Sequence, residues 1–430
     1  MERGKKTMER IRLKQINEEI IYEKLENGLD IYLYNKEGIT NNYVTFTTKF
    51  GSIYNEFVPL GESKMKKVPY GVAHFLEHKV FAQKEDPQPE EFFSKSGALC
   101  NAYTTFKNTT YLFSGPNNLK ENVLYLLDYV QSPYFTEENV ESEKGIITQE
   151  IHMCDDNPTD VMYEYIRKNT FFNNPFKDSI IGTTSDINKI TKEILFTCYN
   201  TFYHPNNMFL VITGNFNEEE LLNAIKENQM KKQFKKEKKI KLKEYKEPDR
   251  VVKSKEVIKM DTPVPKVSYN IKIPLENQKM DIRKYNLYLF IIFSSLFDDT
   301  SDFDREAKNE NLITNSLYFN LLNCDTHALV SLINETISYD KLVDKIENTL
   351  KNISIKEEDL DRKKKVLISN ELFSFENIEV INDMIVDNII FNNTIENNMI
   401  DLLKSLNIEE LNEVISNLNL ENKAIVILKK

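Results

Sequence analysis

The sequence predicts an α+β protein in which helices pack against mostly antiparallel sheets. Segments Leu29–Tyr34 and Tyr43–Lys49 alternate apolar and polar residues, which is typical of half-buried strands. Helical segments follow, but strands and helices do not alternate strictly, so a parallel βαβ sheet is not expected. The second half runs from a strand at Val267–Ile273 through long helices to a strand at Ala424–Leu428. This order echoes the first half without visible sequence repetition.

Local signals define the elements of the first half. Gly28 and Asp30 form the turn that opens the first strand, and Pro69 and Gly71 suit the start of a helix. Thr136 is a favourable N-cap, and acids crowd the first turn after it. The remaining expected elements are helices at Glu90–Ser96, Leu119–Tyr129, Asp160–Phe172 and Lys192–Phe202, and strands at Leu99–Phe106, Thr110–Ser114 and Asn207–Gly214.

A lysine-rich segment at 226–256 is the expected boundary between two domains. Its charge run is typical of a solvated linker, and the alternative is a patch that attracts anionic partners. We therefore expect an N-terminal domain at 1–225 and a C-terminal domain at 257–430. Helices of the latter are expected at Ile282–Phe297, Lys341–Ile353, Glu357–Leu372 and Leu406–Asn417.

Composition excludes several functional classes. The 430-residue chain carries a net charge of −11, which does not favour a nucleic-acid partner. Its four cysteines show no Cys-x-x-Cys spacing and are typical of reduced thiols in a cytoplasmic protein. The N-terminus lacks the apolar core of a signal peptide. The most apolar run, Leu287–Phe297, is too short to cross a membrane, so a cytoplasmic protein is expected.

The most informative segment reads His-Phe-Leu-Glu-His at residues 74–78. On a helix, His74 and His78 share a face and could take two corners of a tetrahedral metal site. Glu77 could reach a water at such a metal and accept its proton. This order is the inverzincin signature of zinc peptidases. The alternative is a surface helix with two solvated histidines, which the apolar neighbours Phe75 and Leu76 disfavour.

Candidates for a third ligand lie on the helix expected after Thr136. Glu143 and Glu150 are seven residues apart, two turns on one face. One carboxylate could bind the metal and the other could support a ligand or the substrate, unless both belong to a solvated charged face. Cys154 could face the metal but is better explained by packing. The other histidines, His152, His204 and His327, are interpreted as structural.

Together these residues resemble the insulinase/pitrilysin family of zinc metallopeptidases, which includes the mitochondrial processing peptidase. The family pattern is His-x-x-Glu-His followed some seventy residues later by a Glu, with another Glu seven residues before it. Here Glu150 lies 72 positions after His78 (150 − 78), and Glu143 lies seven before Glu150. The resemblance implies that His74, His78 and Glu150 bind zinc (Zn2+), that Glu77 is the general base, and that Glu143 supports the site.

Further segments between about residues 20 and 216 resemble the same family, and the half-length bacterial branch in particular. Asn101-Ala-Tyr-Thr104 is similar to a strand beside the metal, which implies that Asn101 and Ala102 bind an extended substrate through backbone edges. The other matching segments are Glu150–Pro158, Gly182–Ile190 and Tyr203–Asn215. The resemblance also implies that two related α+β domains form one half of a clamshell, whose closed chamber favours unfolded peptides.

The second half departs from the family pattern Arg-x-x-x-Gly-Leu-x-Tyr, whose Arg and Tyr hold the substrate carbonyl. Arg305 lies too far upstream, Asn311 replaces the Gly, and Thr314 replaces the Tyr. The resemblance then implies a heterodimer in which a zinc-less homologous subunit supplies Arg and Tyr. The alternative is that Arg305 or Tyr318 serves in a homodimer or in the chain alone.

The expected function is zinc-dependent hydrolysis of peptide bonds in unfolded peptides or in a precursor with a leader peptide. The sequence does not separate leader removal from general peptide turnover. An alternative from another class is a non-catalytic structural or binding subunit of the same fold, although such subunits usually lose the zinc motif. Manganese and cobalt also suit the ligand set to some degree.

Overall fold

The computed structural model describes residues 9–13, 16–234, 239–276 and 278–430. Its strands are β1 (Glu9–Leu13), β2 (Glu18–Lys24), β3 (Asp30–Asn35), β4 (Asn42–Thr48), β5 (Glu56–Phe57), β6 (Lys66–Lys67), β7 (Leu99–Thr104), β8 (Thr109–Gly115), β9 (Met208–Gly214), β10 (Lys255–Lys259), β11 (Lys266–Pro274), β12 (Tyr318–Cys324), β13 (His327–Glu335) and β14 (Lys423–Lys429).

Helices connect and cover these strands. They are α1 (Val72–Phe81), α2 (Pro89–Lys95), α3 (Leu119–Val130), α4 (Glu137–Asp156), α5 (Pro158–Thr170), α6 (Thr184–Ile187), α7 (Lys192–Phe202), α8 (Glu218–Met230), α9 (Ile282–Phe297), α10 (Asp302–Asn309), α11 (Tyr339–Lys351), α12 (Glu357–Ser374), α13 (Ile378–Asp387), α14 (Met399–Lys404) and α15 (Ile408–Asn417). In the described part of the chain, no helix is both long and apolar enough to cross a lipid bilayer.

The first compact unit is built from the described residues of Met1–Ile151, Ser179–Glu244 and Leu372–Asn398. Its sheet has the strand order β1-β2-β3-β9-β4-β8-β7, and all neighbours pair antiparallel except β3 with β9. The central strands of the sheet are buried on both faces. Ile31 and Leu33 contribute to one core cluster and Tyr32 to another, as the alternation in β3 requires. Helix α13 packs on β4 and β9.

The second unit comprises His152–Asp178, Tyr245–Glu371 and Met399–Lys430. Its sheet has the order β10-β14-β11-β13-β12, with β10 and β14 parallel and the other neighbours antiparallel. One apolar cluster joins this sheet to helices that include α9, α11 and α15. Helix α5 packs on β11 and β14. Two units with mostly antiparallel sheets and packed helices confirm the α+β class.

Each unit is assembled from three separated segments, whereas the sequence suggested continuous domains at 1–225 and 257–430 around a linker at 226–256. The difference arises because α5 covers the second sheet and α13 covers the first, although each lies far along the chain from most of that unit. Part of the lysine-rich segment, residues 235–238, lies outside the described residues.

Candidate metal centre

Helix α1 begins where two glycines allow two backbone segments, one at residues 70–71 and one at residues 181–182, to lie close together. Gly71 precedes the helix with φ +80°, and a Cβ there would lie 2.4 Å from the carbonyl oxygen of Ile181. Gly182 also has positive φ, and its Cβ would lie 2.7 Å from the carbonyl oxygen of Tyr70. Any larger residue would therefore push the two segments apart. The helix that follows is mostly buried, which argues against the alternative of a solvated surface helix.

Three of the expected residues meet at one point between α1 and α4. His74 and His78 lie one helical turn apart in an edge-to-face arrangement, with ring centroids separated by 4.6 Å. The carboxylate of Glu150 lies 3.6 Å from Nε2 of His74 through Oε1, and 3.6 Å from Nε2 of His78 through Oε2. Tetrahedral ligands at zinc bond distances are separated by about 3.3 Å, so these atoms are close to the required spacing.

The chemistry of these three groups also suits a dication. Burial, and secondarily the neighbouring His78, lowers the pKa of His74 to about 3, so this imidazole is neutral and can offer a lone pair. Nδ1 of His74 is buried and has no hydrogen-bond partner among the described residues. Two imidazoles and a carboxylate form a ligand set that zinc uses in proteins. The residues present therefore fit a zinc ion.

Glu143 lies behind His78 and does not face His74. Its Oε1 lies 3.1 Å from Nδ1 of His78, and its Oε2 accepts a hydrogen bond of 3.2 Å from Nζ of Lys79. Burial acts to raise the pKa of Glu143, but His78 and Lys79 outweigh it and lower that pKa. An Nδ1–H donated to Glu143 leaves Nε2 of His78 directed at Glu150. The sequence spacing did not show which of Glu143 and Glu150 faces both histidines. In the structure Glu150 does, and of the two histidines Glu143 contacts only His78.

Glu77 points from α1 towards strand β7. Thr104 donates a hydrogen bond of 2.6 Å from Oγ1 to Oε2 of Glu77. Burial raises the pKa of Glu77, and the hydrogen bond from Thr104 counteracts part of that rise. A second contact fixes the helix, because Tyr111 donates to the carbonyl oxygen of Leu76 at 3.4 Å. Thr104 thus holds the Glu77 carboxylate next to the candidate ligand His78, and Glu77 forms no ion pair with a lysine or arginine among the described residues.

Strand β7 is the terminal strand of its sheet, which suits the expected addition of an extended peptide. Asn101 is exposed, and Leu99 is 79% exposed. However, the N–H of Ala102 already donates to Oδ1 of its neighbour Asn101 at 2.9 Å. A peptide that pairs with this N–H must first displace the Asn101 side chain.

The helix that carries Glu143 and Glu150 begins as the sequence suggested. The N–H of Thr136 donates to Oδ1 of Asn139 at 2.9 Å, and the N–H of Asn139 donates to Oγ1 of Thr136 at 3.1 Å. This reciprocal pair caps α4 in the manner of a capping box. Further along the same helix, Glu143 contacts His78, and Glu150 lies 3.6 Å from both histidines of α1.

The remaining histidines lie outside the cluster. His152 is exposed, and the side chain of His204 caps the short 3₁₀ turn that begins at Pro205. His327 lies between Thr326 and Asp249, with its Nε2 3.2 Å from the Asp249 carboxylate. Cys154 is partly buried on α4 and does not belong to the group of candidate ligands found in the described residues.

In the second unit, the Arg305 side chain is paired with a neighbouring acid and is not free to bind a substrate. Arg305 lies on α10 and forms an exposed ion pair of 2.6 Å with Asp302. Asn311 adopts φ +55°, the left-handed conformation that a Gly at this place would favour, and so closes the C-terminus of α10. Tyr318 is 56% exposed at the start of β12 and shares a hydrogen bond with Tyr163.

Sequence comparisons identify the family. The description "Insulinase (Peptidase family M16)" matches residues 57–184, and "Peptidase M16 inactive domain" matches residues 189–367. The chain is 39% identical over 362 residues to the uncharacterized zinc protease YmfH of Bacillus subtilis, covering 83% of this chain and 84% of that protein. The chain therefore belongs to the M16 insulinase family of peptidases.

More distant relatives match over shorter stretches of the chain. An uncharacterized zinc protease of Rickettsia bellii is 32% identical over 203 residues, which cover 46% of this chain and 47% of that protein. The beta subunit of the human mitochondrial-processing peptidase is 29% identical over 160 residues, covering 36% of this chain and 33% of that protein.

Structural comparison agrees with this assignment. A putative M16-like peptidase from Alicyclobacillus acidocaldarius matches with a TM-score of 0.90 and 30% identity, over 96% of this chain and 99% of that one. A protease from Helicobacter pylori shares the fold, with a TM-score of 0.82, 18% identity, and coverage of 96% of this chain and 100% of that one.

Proposed function

We propose that this chain is a zinc-dependent metallopeptidase in which His74, His78 and Glu150 hold the metal. The observation that carries the proposal is the convergence of two imidazole nitrogens and a carboxylate within 4.8 Å of one another. Family membership and the names of the relatives support the same function. The ligand set does not by itself separate zinc from manganese or cobalt.

A bound zinc ion would supply an activated water and polarise the scissile carbonyl. Glu77 would accept the proton of the attacking water and pass it to the leaving amine, as a general base that becomes a general acid. Thr104 orients the Glu77 carboxylate by its hydrogen bond of 2.6 Å. Glu143 would hold the His78 ring through Nδ1, so that Nε2 remains directed at the metal position.

The substrate of the proposal is an extended peptide that adds to the edge strand β7 at Asn101 and Ala102 inside a closed chamber. Backbone recognition of this kind favours unfolded peptides, including the leader of a precursor peptide, over folded proteins. We propose a cytoplasmic location, because the four cysteines show no Cys-x-x-Cys spacing and are typical of reduced thiols.

We further propose that the active enzyme is a heterodimer with a zinc-less homologous subunit that supplies Arg and Tyr. Support comes from the second half, where Asn311 and Thr314 replace the Gly and Tyr of the family pattern, and from Arg305, whose guanidinium is paired with Asp302. A homodimer in which Arg305 or Tyr318 serves is the alternative.

The test is mass spectrometry of a mixture of unfolded peptides digested by the purified chain with zinc. The Glu77→Gln variant should retain zinc and lose about 10²- to 10⁴-fold in rate, because it keeps the ligands and removes the base. Glu141→Gln, on an exposed face of α4, is the matched control and should remain active. Undiminished turnover by the Glu77→Gln variant would rule out Glu77 as the base.

The same digest also tests whether the chain needs a partner subunit. Cleavage by the wild-type chain alone would refute the need for a second subunit. No cleavage with zinc bound would support the heterodimer, and the digest would be repeated with a zinc-less homologue. A wild-type chain that binds no zinc would instead indicate a non-catalytic subunit.

A further inference from the structure

Lys79, the residue after the second histidine, is buried although it carries a charge. Its side chain is 3% exposed, on a helix whose neighbouring residue Val80 belongs to the apolar core. Lysine is rarely buried to this extent unless it is paired. Its partner is Glu143, whose Oε2 lies 3.2 Å from Nζ. No local sequence pattern predicts this contact, because the two residues are 64 positions apart.

We infer that Lys79 is a positioning residue of the metal centre, which acts by holding Glu143 against His78. The inference rests on the proposed zinc site. The two oxygens of Glu143 are divided between adjacent residues of α1, with Oε1 at 3.1 Å from Nδ1 of His78 and Oε2 at 3.2 Å from Nζ of Lys79. Because both oxygens are engaged, the carboxylate cannot turn without breaking one of these contacts.

The ion pair matters because Glu143 itself is poorly hydrated, with 14% of its side chain exposed. Without the ammonium group, this carboxylate would be a buried charge without a cation, an unfavourable state. It would turn towards water. That change removes the charged acceptor from Nδ1 of His78, and the ring then loses the interaction that fixes its orientation.

Lys79 also brings the charge of the loaded centre close to zero. The carboxylate of Glu150 belongs to the candidate ligand set, and those of Glu77 and Glu143 lie beside it, so a dication alone would leave one of three negative charges uncompensated. The ammonium group of Lys79 supplies the missing positive charge. Since unpaired charge is costly in a poorly hydrated site, this balance should favour metal binding.

The test is the zinc affinity of the full chain, measured by competition with a fluorescent zinc chelator in the absence of substrate. Lys79→Met should weaken zinc binding about 10- to 100-fold, the loss expected when an outer partner of a metal ligand is removed. Lys79→Arg, which keeps the charge, should retain most of the affinity. Lys232→Met is the control, because Lys232, just beyond the end of α8, forms a partly buried ion pair of 2.7 Å with Asp128 on α3 of the same unit.

A double mutant separates positioning from a general loss of packing. If Lys79 acts through Glu143, Lys79→Met should add almost nothing to the zinc-affinity loss of Glu143→Gln. Losses that multiply, or a Lys79→Met protein with wild-type zinc affinity, would overturn the inference. Should Lys79→Met fail to fold, as judged by circular dichroism, Lys79→Gln removes the charge while keeping a polar side chain, with the same expectation.

The two proposals fail in distinguishable ways. A wild-type chain that binds no zinc would refute the proposed metal site. Wild-type zinc binding that is equally tight with and without Lys79 would refute only the positioning role. Because no substrate enters the assay, a missing partner subunit does not affect either result.

Discussion

The two units each bury a cluster of charged residues, and the clusters differ in how completely their polar atoms are paired. In the second unit, the side chains of Lys272 and Glu247 are both fully buried and form an ion pair. Lys272 also donates to the carbonyl oxygens of Thr170, Pro248 and Arg250 at 3.2, 2.6 and 3.2 Å. Glu247 accepts the backbone N–H groups of Phe172, Asn173 and Asn174.

The first unit's cluster consists of His74, His78, Lys79, Glu143 and Glu150, and only some of its polar atoms are hydrogen-bonded. Glu143 is satisfied by His78 and Lys79, but Nε2 of His74 and Nε2 of His78 each lie 3.6 Å from the Glu150 carboxylate, beyond hydrogen-bond distance. Buried polar groups in proteins are normally hydrogen-bonded, so the buried His74, whose Nδ1 also lacks a partner among the described residues, indicates a metal-ligating site. Buried charge alone therefore does not mark a functional site, and the state of its hydrogen bonds does.

The largest expected effect tests the structural cluster. Lys272→Met should lower the free energy of unfolding by about 3–5 kcal/mol, because it leaves Glu247 as an uncompensated buried charge. The measurement is chemical denaturation, with zinc affinity of the folded variant expected to be unchanged. Lys255→Met, which removes an exposed ion pair with Asp340, should cost less than about 1 kcal/mol. A loss of less than about 1 kcal/mol for Lys272→Met would show that the fully paired cluster of the second unit contributes little to stability.

A second prediction tests the other cluster. Glu150→Gln should weaken zinc binding by more than about 100-fold, since a direct ligand matters more than an outer partner. The metal-free variant should keep its stability within about 1 kcal/mol, because Glu150 lacks the dense pairing of Glu247. Metal analysis and denaturation of the metal-free protein check both parts. Unchanged metal content would refute Glu150 as a ligand.

The smallest effect concerns the segment in which the second unit departs from the family pattern. Asn311→Ala should cost about 1 kcal/mol of stability, because Ala is strained at φ +55°, whereas Asn311→Gly should be nearly neutral. Thermal unfolding of both variants provides the measurement. Equal effects of Ala and Gly would show that the left-handed conformation at this position is unimportant.

Periodicity predicted the elements around the site but not every strand. The helices at α1, α3 and α4 and the paired strands β7 and β8 lie within a few residues of their expected bounds. Strand β13 was missed because almost all its residues are buried, so its sequence shows no alternation. Helix α13 was missed as well, and its place on β4 and β9 depends on contacts with residues more than 150 positions away.

The spacing within one helix was enough to predict His74 and His78 as candidate ligands with Glu77 beside them. Family resemblance implied Glu150 as the third candidate ligand. Tertiary structure alone decided which glutamate faces both imidazoles, that Thr104 holds Glu77, and that Lys79 pairs with Glu143. These contacts join residues on different elements, and their geometry depends on how α1, α4 and β7 pack, which no local pattern encodes.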